Sequence, residues 1–119
     1  MPNIPDRYSR FTVLREIGKE GFQKIRKAKV VVVGIGGLGS ISSTKLVTLG
    51  VNHLRIVDPD VVVASNLQRQ FLYREKDLEK PKAYLAARRL RPPPERRRHE
   101  SESWPVCSSL APLLWTVLF

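Results

Sequence analysis

Gly34, Gly36 and Gly39 stand in the order G-x-G-x-x-G directly after an apolar run, with Gly37 as an extra glycine. Glycines let a backbone approach a phosphate closely, and the helix start that follows offers unpaired N–H groups and partial positive charge. A nucleotide phosphate suits such a turn, and a tight strand-to-helix turn with no ligand is the alternative. Asp58 comes 24 residues after Gly34, close to the roughly 20-residue interval at which a carboxylate meets a ribose hydroxyl. It also precedes Pro59, where an aspartate often serves only the turn. Ser65-Asn66-Leu67-Gln68-Arg69-Gln70 concentrates polar side chains able to clamp a substrate. Lys82 falls in a first helical turn, where its charge opposes the helix dipole. That placement makes sense against an anion, and an exposed lysine is the plain alternative. His53 and His99 are far apart and no Cys or His neighbours them at ligand spacing, so no metal ligands are assigned.

These residues need elements to hold them. Lys29 is followed by Val30 to Val33, four β-branched residues that read as a strand buried on both faces of a helix-covered parallel sheet. Leu38, Ile41, Leu46 and Leu49 fall mostly at helical spacing after the glycines, and Gly50 stands where a helix would stop. His53 to Val57 reads as a second strand, and residues 61–80 as a long connection. Pro81 then suits the first turn of a helix whose apolar face is Ala83, Ala86, Ala87 and Leu90. Before the valines, Glu20 to Lys29 reads as a short helix. Asp6-Arg7-Tyr8-Ser9-Arg10-Phe11 reads as a charged, aromatic segment that packs on the domain or on a second subunit.

The chain has 119 residues, enough for one small domain. Its composition is that of a folded protein, and its net charge of +10 favours anionic partners or a basic solvated surface. A single cysteine, Cys107, forms no intrachain disulfide and fits a reducing, cytoplasmic compartment. No targeting segment is visible in residues 1–29. From 92 to 119 the composition changes: five of nine prolines fall there, and no glycine, lysine, isoleucine or aspartate. Arg96 to Arg98 reads as a solvated charge run. Residues 104–119 are uncharged but too short and proline-broken for a membrane span, so no membrane partner is expected.

Taken in order, the motifs resemble the adenylating domain of the ThiF, MoeB and HesA family, relatives of ubiquitin-activating enzymes. The resemblance spans about residues 7–91. It rests on Arg7-Tyr8-Ser9-Arg10, Gly34-Ile35-Gly36-Gly37-Leu38-Gly39-Ser40 and Gly50-Val51. It continues through Val57-Asp58-Pro59-Asp60, Ser65-Asn66-Leu67-Gln68-Arg69-Gln70 and Lys80-Pro81-Lys82-Ala83. The resemblance implies an α/β, Rossmann-like nucleotide-binding fold with parallel strands, here truncated after about two strands. With the change of composition after residue 91, the chain reads as an N-terminal helical segment (1–29), the first part of the adenylating domain (30–91) and an atypical tail (92–119), Pro/Arg-rich and then apolar. The resemblance also implies a reaction in which ATP activates the C-terminus of a ubiquitin-like or sulfur-carrier protein as an acyl-adenylate. By the same resemblance Gly34, Gly36, Gly37 and Gly39 hold the nucleotide and Asp58 the ribose. Asn66, Arg69 and Lys82 contact the phosphates, and Arg10 reaches into the partner's site of a homodimer. Arg10, Arg69 and Lys82 are then the catalytic candidates.

The departures are also definite. The family's magnesium-binding aspartate, its zinc-binding cysteine pairs and its later catalytic cysteine have no match here. Magnesium is thus expected for the family while its ligand is absent from this chain. The tail reads as a frameshifted or misjoined ending, with a lineage-specific ending as the alternative, and the chain as written is expected not to catalyse adenylation. Two other functions compete. An NAD-binding oxidoreductase module accounts for the glycines and Asp58 but not for Asn66 to Gln70 or Lys82. A non-catalytic nucleotide-binding or dimerising protein that regulates a full-length relative is the other. Nucleic acid is not an expected partner, apart from an indirect place in tRNA thiolation.

Overall fold

The computed structural model describes Ile4, residues 6–90 and the backbone of 115–118. A short helix, α1 (Ser9–Thr12), and a longer one, α2 (Gly18–Lys27), precede strand β1 (Lys29–Val33). Helix α3 (Gly37–Leu49), strand β2 (His53–Asp58) and helix α4 (Lys82–Leu90) follow, and strand β3 (Trp115–Leu118) comes last. β1 and β2 pair in parallel, from Lys29 opposite His53 to Val33 opposite Val57. The expected α/β arrangement is therefore present: strand, glycine turn, crossover helix and parallel strand, with both strand ends on one side.

The tail gives a finding that composition did not announce. β3 adds antiparallel to the outer edge of β2, from Arg55 opposite Leu118 to Asp58 opposite Trp115, in the sheet order β1-β2-β3. The edge of β2 is covered, and that of β1 carries no strand among the described residues. Cys107, His99 and Arg96 to Arg98 lie outside the described residues.

The core forms between β2 and α4. Leu54 and Ile56 point down one face of β2, and Ala83, Leu85, Ala86, Ala87 and Leu90 cover them with Ile35, Val62 and Tyr73. Small alanines let α4 lie close to the sheet, as its i, i+3, i+4, i+7 pattern foretold. The valine run differs from expectation. Val30 and Val32 are half-buried against the core, while Val31 is 56% and Val33 79% exposed. A β-branched run was read as doubly buried, yet among the described residues no layer covers the second face of β1.

Helix α3 also departs in detail. It ends where expected, with Gly50 in the left-handed region at φ 102° and its N–H bonded to the carbonyls of Leu46 and Val47. Its buried positions, however, are Ser40 and Ser43, whereas Leu38, Ile41 and Leu49 are exposed. Small side chains, not large ones, set how closely this helix approaches the strand ends. At its far end the Tyr8, Phe11 and Phe22 rings pack together, Phe11 edge-on to the other two and Tyr8 tilted over Phe22 with centroids 4.6 Å apart. Phe22 fills the space a side chain at Gly50 would need, so the N-terminal aromatic segment packs on its own domain. None of the described helices is long and apolar enough to cross a membrane.

Residues 61–80 carry no long element. Val61 bridges Pro81, and two 3-10 turns, Ala64–Asn66 and Glu75–Asp77, shape the rest. The loop is clamped to α4 by Asp77, which is buried and lies 2.6 Å from the Arg89 guanidinium. The same carboxylate accepts the Arg74 N–H at 2.7 Å, and Arg89 also donates to the Leu72 carbonyl.

The Arg89 hydrogen bond, more than any other influence, holds the Asp77 carboxyl below its ordinary value, against the opposing effect of burial. A carboxyl with a lowered folded value stabilises the fold above its unfolded value, and that contribution is lost as pH falls through the folded one. Asp77→Asn should cost about 3 kcal/mol at neutral pH, because it leaves Arg89 without its charge partner. Urea unfolding near neutrality and near pH 3 checks this: the variant's penalty should shrink in acid. An equal penalty at both would assign Asp77 a purely steric role.

Candidate functional site

The four glycines of the turn do different work. Gly34 takes φ 89°, which turns the chain sharply at the end of β1, and its N–H bonds the Val57 carbonyl at 2.8 Å. A Cβ on Gly39 would overlap the Gly34 carbonyl oxygen, so only glycine lets α3 start this close to the turn. At Gly36 a Cβ would meet the Gln70 side chain at 3.5 Å, whereas at Gly37 it would meet nothing. Space therefore opens at Gly37, where the helix axis begins. Among the described residues, the N–H groups of Gly36, Gly37, Leu38 and Gly39 make no backbone or side-chain hydrogen bond. The start of α3 is an open donor cluster at the positive end of a thirteen-residue helix.

Asp58 sits at the centre of this arrangement, 4% exposed. One carboxylate oxygen accepts the Ile35 N–H at 2.7 Å and the other the Asp60 N–H at 2.7 Å. Parallel pairing brings the end of β2 beside the glycine turn, and the carboxylate ties the two together. Ile35 is held from its other side as well: the Tyr73 hydroxyl donates to its carbonyl at 2.7 Å. Burial, with the charge of Asp58 adding to it, pushes the Tyr73 phenol well above its ordinary range, so it remains a donor.

Lys82 opens α4, and its side chain is 6% exposed. Its nearest anionic group is Asp60 at 3.9 Å, beyond hydrogen-bond reach, and no closer polar partner stands among the described residues. Lys82 is thus buried where the sequence allowed it to be exposed. Asn66 is buried too, but its side-chain oxygen accepts the Val63 N–H at 3.2 Å and shapes its own turn. Arg69 is exposed and donates to the Ser65 carbonyl at 2.9 Å. Gln70 is buried against Gly36 with its amide oxygen unbonded. Arg10 is exposed on α1, and no hydrogen bond or ion pair among the described residues joins it to these groups.

The structure therefore brings Asp58, Gly34, Gly36, Gly39, Gln70 and Tyr73 together and sets Lys82 beside Asp60. It does not bring Arg10 or Arg69 into contact with the turn. Tyr73 was not legible beforehand, because a tyrosine closing on a carbonyl 38 positions away leaves no spacing signal. The two carboxylates beside the turn, Asp58 and Asp60, do not suit magnesium. Both oxygens of Asp58 already accept backbone N–H groups, Asp60 faces Lys82, and no cluster of three potential ligands occurs among the described residues.

The pattern of the ThiF family matches residues 8–93. The SAMP-activating enzyme E1 of Haloferax volcanii is 48% identical over 82 residues, covering 69% of this chain and 30% of that protein. The sulfur carrier protein ThiS adenylyltransferase of Bacillus subtilis is 48% identical over 87 residues, covering 71% and 26%. The chain thus spans less than a third of the length of these relatives. Among solved structures, E. coli MccB with ATP superposes with a TM-score of 0.64 at 33% identity, covering 75% of this chain and 28% of that one. E. coli tRNA N6-threonylcarbamoyladenosine dehydratase, TcdA, in complex with AMP gives 0.65 at 30% identity, covering 76% and 38%.

The glycine geometry yields a paired expectation. Gly39→Ala should cost more than about 3 kcal/mol, since the clash is with backbone that cannot step aside. Gly37→Ala should be neutral or stabilise by up to about 1 kcal/mol, because the methyl meets open space at a helix start. Denaturant unfolding of both variants checks this, and equal costs would mean that the close approach at Gly39 does not hold the turn.

Proposed function

The chain belongs to the ThiF family, and from that premise we propose that it binds ATP at the start of α3, within an enzyme that adenylates a ubiquitin-like or sulfur-carrier protein. In this reading the amides of Gly36 to Gly39 receive phosphate oxygens, and Asp58 keeps the turn in shape beside the ribose. Lys82 supplies a fixed cation, with Arg69 and Asn66 closing from the loop. The attacking carboxylate belongs to the carrier protein's C-terminus. It displaces pyrophosphate at the α-phosphate, so the chain needs no nucleophile of its own. Its task is to position the triphosphate and offset the charge that develops on it.

The observation that carries this reading is Lys82. A buried ammonium whose nearest anion stands 3.9 Å away is costly unless something else pairs with it. It opens α4 just after a loop packed on the same turn, through Gln70 at Gly36 and Tyr73 at Ile35. A dinucleotide site gains less from such a cation than a triphosphate does. Arg10 completes the proposal from a second copy of the chain in a homodimer, which its exposed position on α1 permits.

Calorimetry on the full chain tests the reading. ATP should bind more tightly than NAD, and Lys82→Ala should weaken ATP by about 1–3 kcal/mol through loss of a charge-assisted bond. Tighter binding of NAD, or unchanged ATP binding by the variant, would overturn it.

A further inference from the structure

We propose that Tyr73 is a positioning residue: by donating to the Ile35 carbonyl, its hydroxyl aims the Gly36 N–H out of the fold, toward the phosphates. This rests on the reading of the α3 start as a nucleotide site and adds to it a residue outside the glycine turn.

One peptide, joining Ile35 to Gly36, sets which way the first amide of the turn faces. It is trans, like every described peptide bond in the chain, so its C=O and N–H point in opposite directions. The Tyr73 hydroxyl lies 2.7 Å from that carbonyl oxygen, in the core that Ile35 and Tyr73 share with Leu54, Ile56 and Val62. With the C=O held inward, the Gly36 N–H must face outward, where no acceptor meets it among the described residues. Turning this peptide over would change ψ at Ile35 and φ at Gly36, and on the Gly36 side the backbone offers less resistance than any other residue would. The turn therefore needs an external hold at this bond. Asp58 grips the preceding peptide through the Ile35 N–H but leaves the Ile35 carbonyl untouched. Ser40 does not substitute: its hydroxyl lies 3.4 Å from the Ile35 oxygen but bonds the Gly36 carbonyl more closely. One hydroxyl has one proton to give. Gln70, packed against Gly36, closes the space on the same side as Tyr73's own loop. Burial, with the charge of Asp58, also pushes the phenol above its ordinary range, which favours the protonated, donating form.

The hold bears on phosphate alone, because an amide at Gly36 has no other part of the nucleotide to meet in this reading. Tyr73→Phe removes the hydroxyl and keeps the ring. In the unliganded full chain, the residual dipolar coupling of the Gly36 N–H should change while the couplings of β2 stay as they are. ATP affinity should fall about five- to tenfold, with adenosine affinity changed by less than about twofold. An unchanged Gly36 coupling overturns the proposal whether or not ATP binds. Equal losses for ATP and adenosine also overturn it, since they would make Tyr73 a packing residue. A changed coupling in a chain whose wild type binds no ATP would support the positioning role and defeat only the nucleotide reading. If Tyr73→Phe does not fold, the wild-type chain provides the test. Its Tyr73 hydroxyl proton should be protected from exchange with solvent and couple across the hydrogen bond to the Ile35 carbonyl carbon, and a hydroxyl that exchanges as freely as that of an exposed tyrosine would overturn the proposal.

Discussion

The carboxylate of Asp58 is the constraint on which the site depends. Parallel pairing places the ends of β1 and β2 side by side, and the chain leaves both in different directions. One oxygen of Asp58 holds the outgoing glycine turn at Ile35, and the other holds the outgoing loop at Asp60. Burying a carboxylate is costly, and two N–H donors at 2.7 Å offset that cost with short, charge-assisted bonds. From Ile35 the constraint passes to Gly34, Gly36 and the start of α3. From Asp60 it passes to the backbone of Lys82, whose N–H bonds the Asp60 carbonyl at 3.0 Å. The cation and the donor cluster are thus positioned by one residue.

What surrounds this point is a balance between open and closed surfaces. Among the described residues the N–H groups at the start of α3 make no hydrogen bonds, and Lys82 has no anion within hydrogen-bond reach. The loop opposite is pinned by Asp77 and Arg89 to α4. A loop held in place beside a donor cluster suits the proposed charged ligand, since fewer groups need reorganise when it arrives. The location agrees with the rule that open α/β sheets bind ligands beyond the C-terminal ends of their strands.

Much of this was legible in the residues because it is local. The G-x-G-x-x-G turn, the stop at Gly50, the β2 strand and the alanine face of α4 each follow from a short window. Burial was harder. The four valines promised a strand covered on both sides, but Val31 and Val33 depend on what packs over them, and that is not written in the run itself. On α3 the eye goes to Leu38 and Ile41, while the contact is made by Gly39, Ser40 and Ser43, whose value is their small size. The pairing of Trp115–Leu118 with β2 and the bond from Tyr73 to Ile35 are long-range contacts with no periodic trace. For the site, Lys82 and Asp58 could be named from type and spacing, but which atoms they meet required the fold.

If phosphate binds at the start of α3, as proposed, the turn shaped through Asp58 must respond to it directly. The most direct measurement follows the backbone amide resonances of the labelled full chain during an ATP titration. Gly36, Gly37, Leu38 and Gly39 should shift together and saturate at one concentration, and the same amides should not respond in an Asp58→Ala chain that remains folded. Saturating shifts confined to other surfaces, or an undiminished response in the Asp58→Ala chain, would contradict the account.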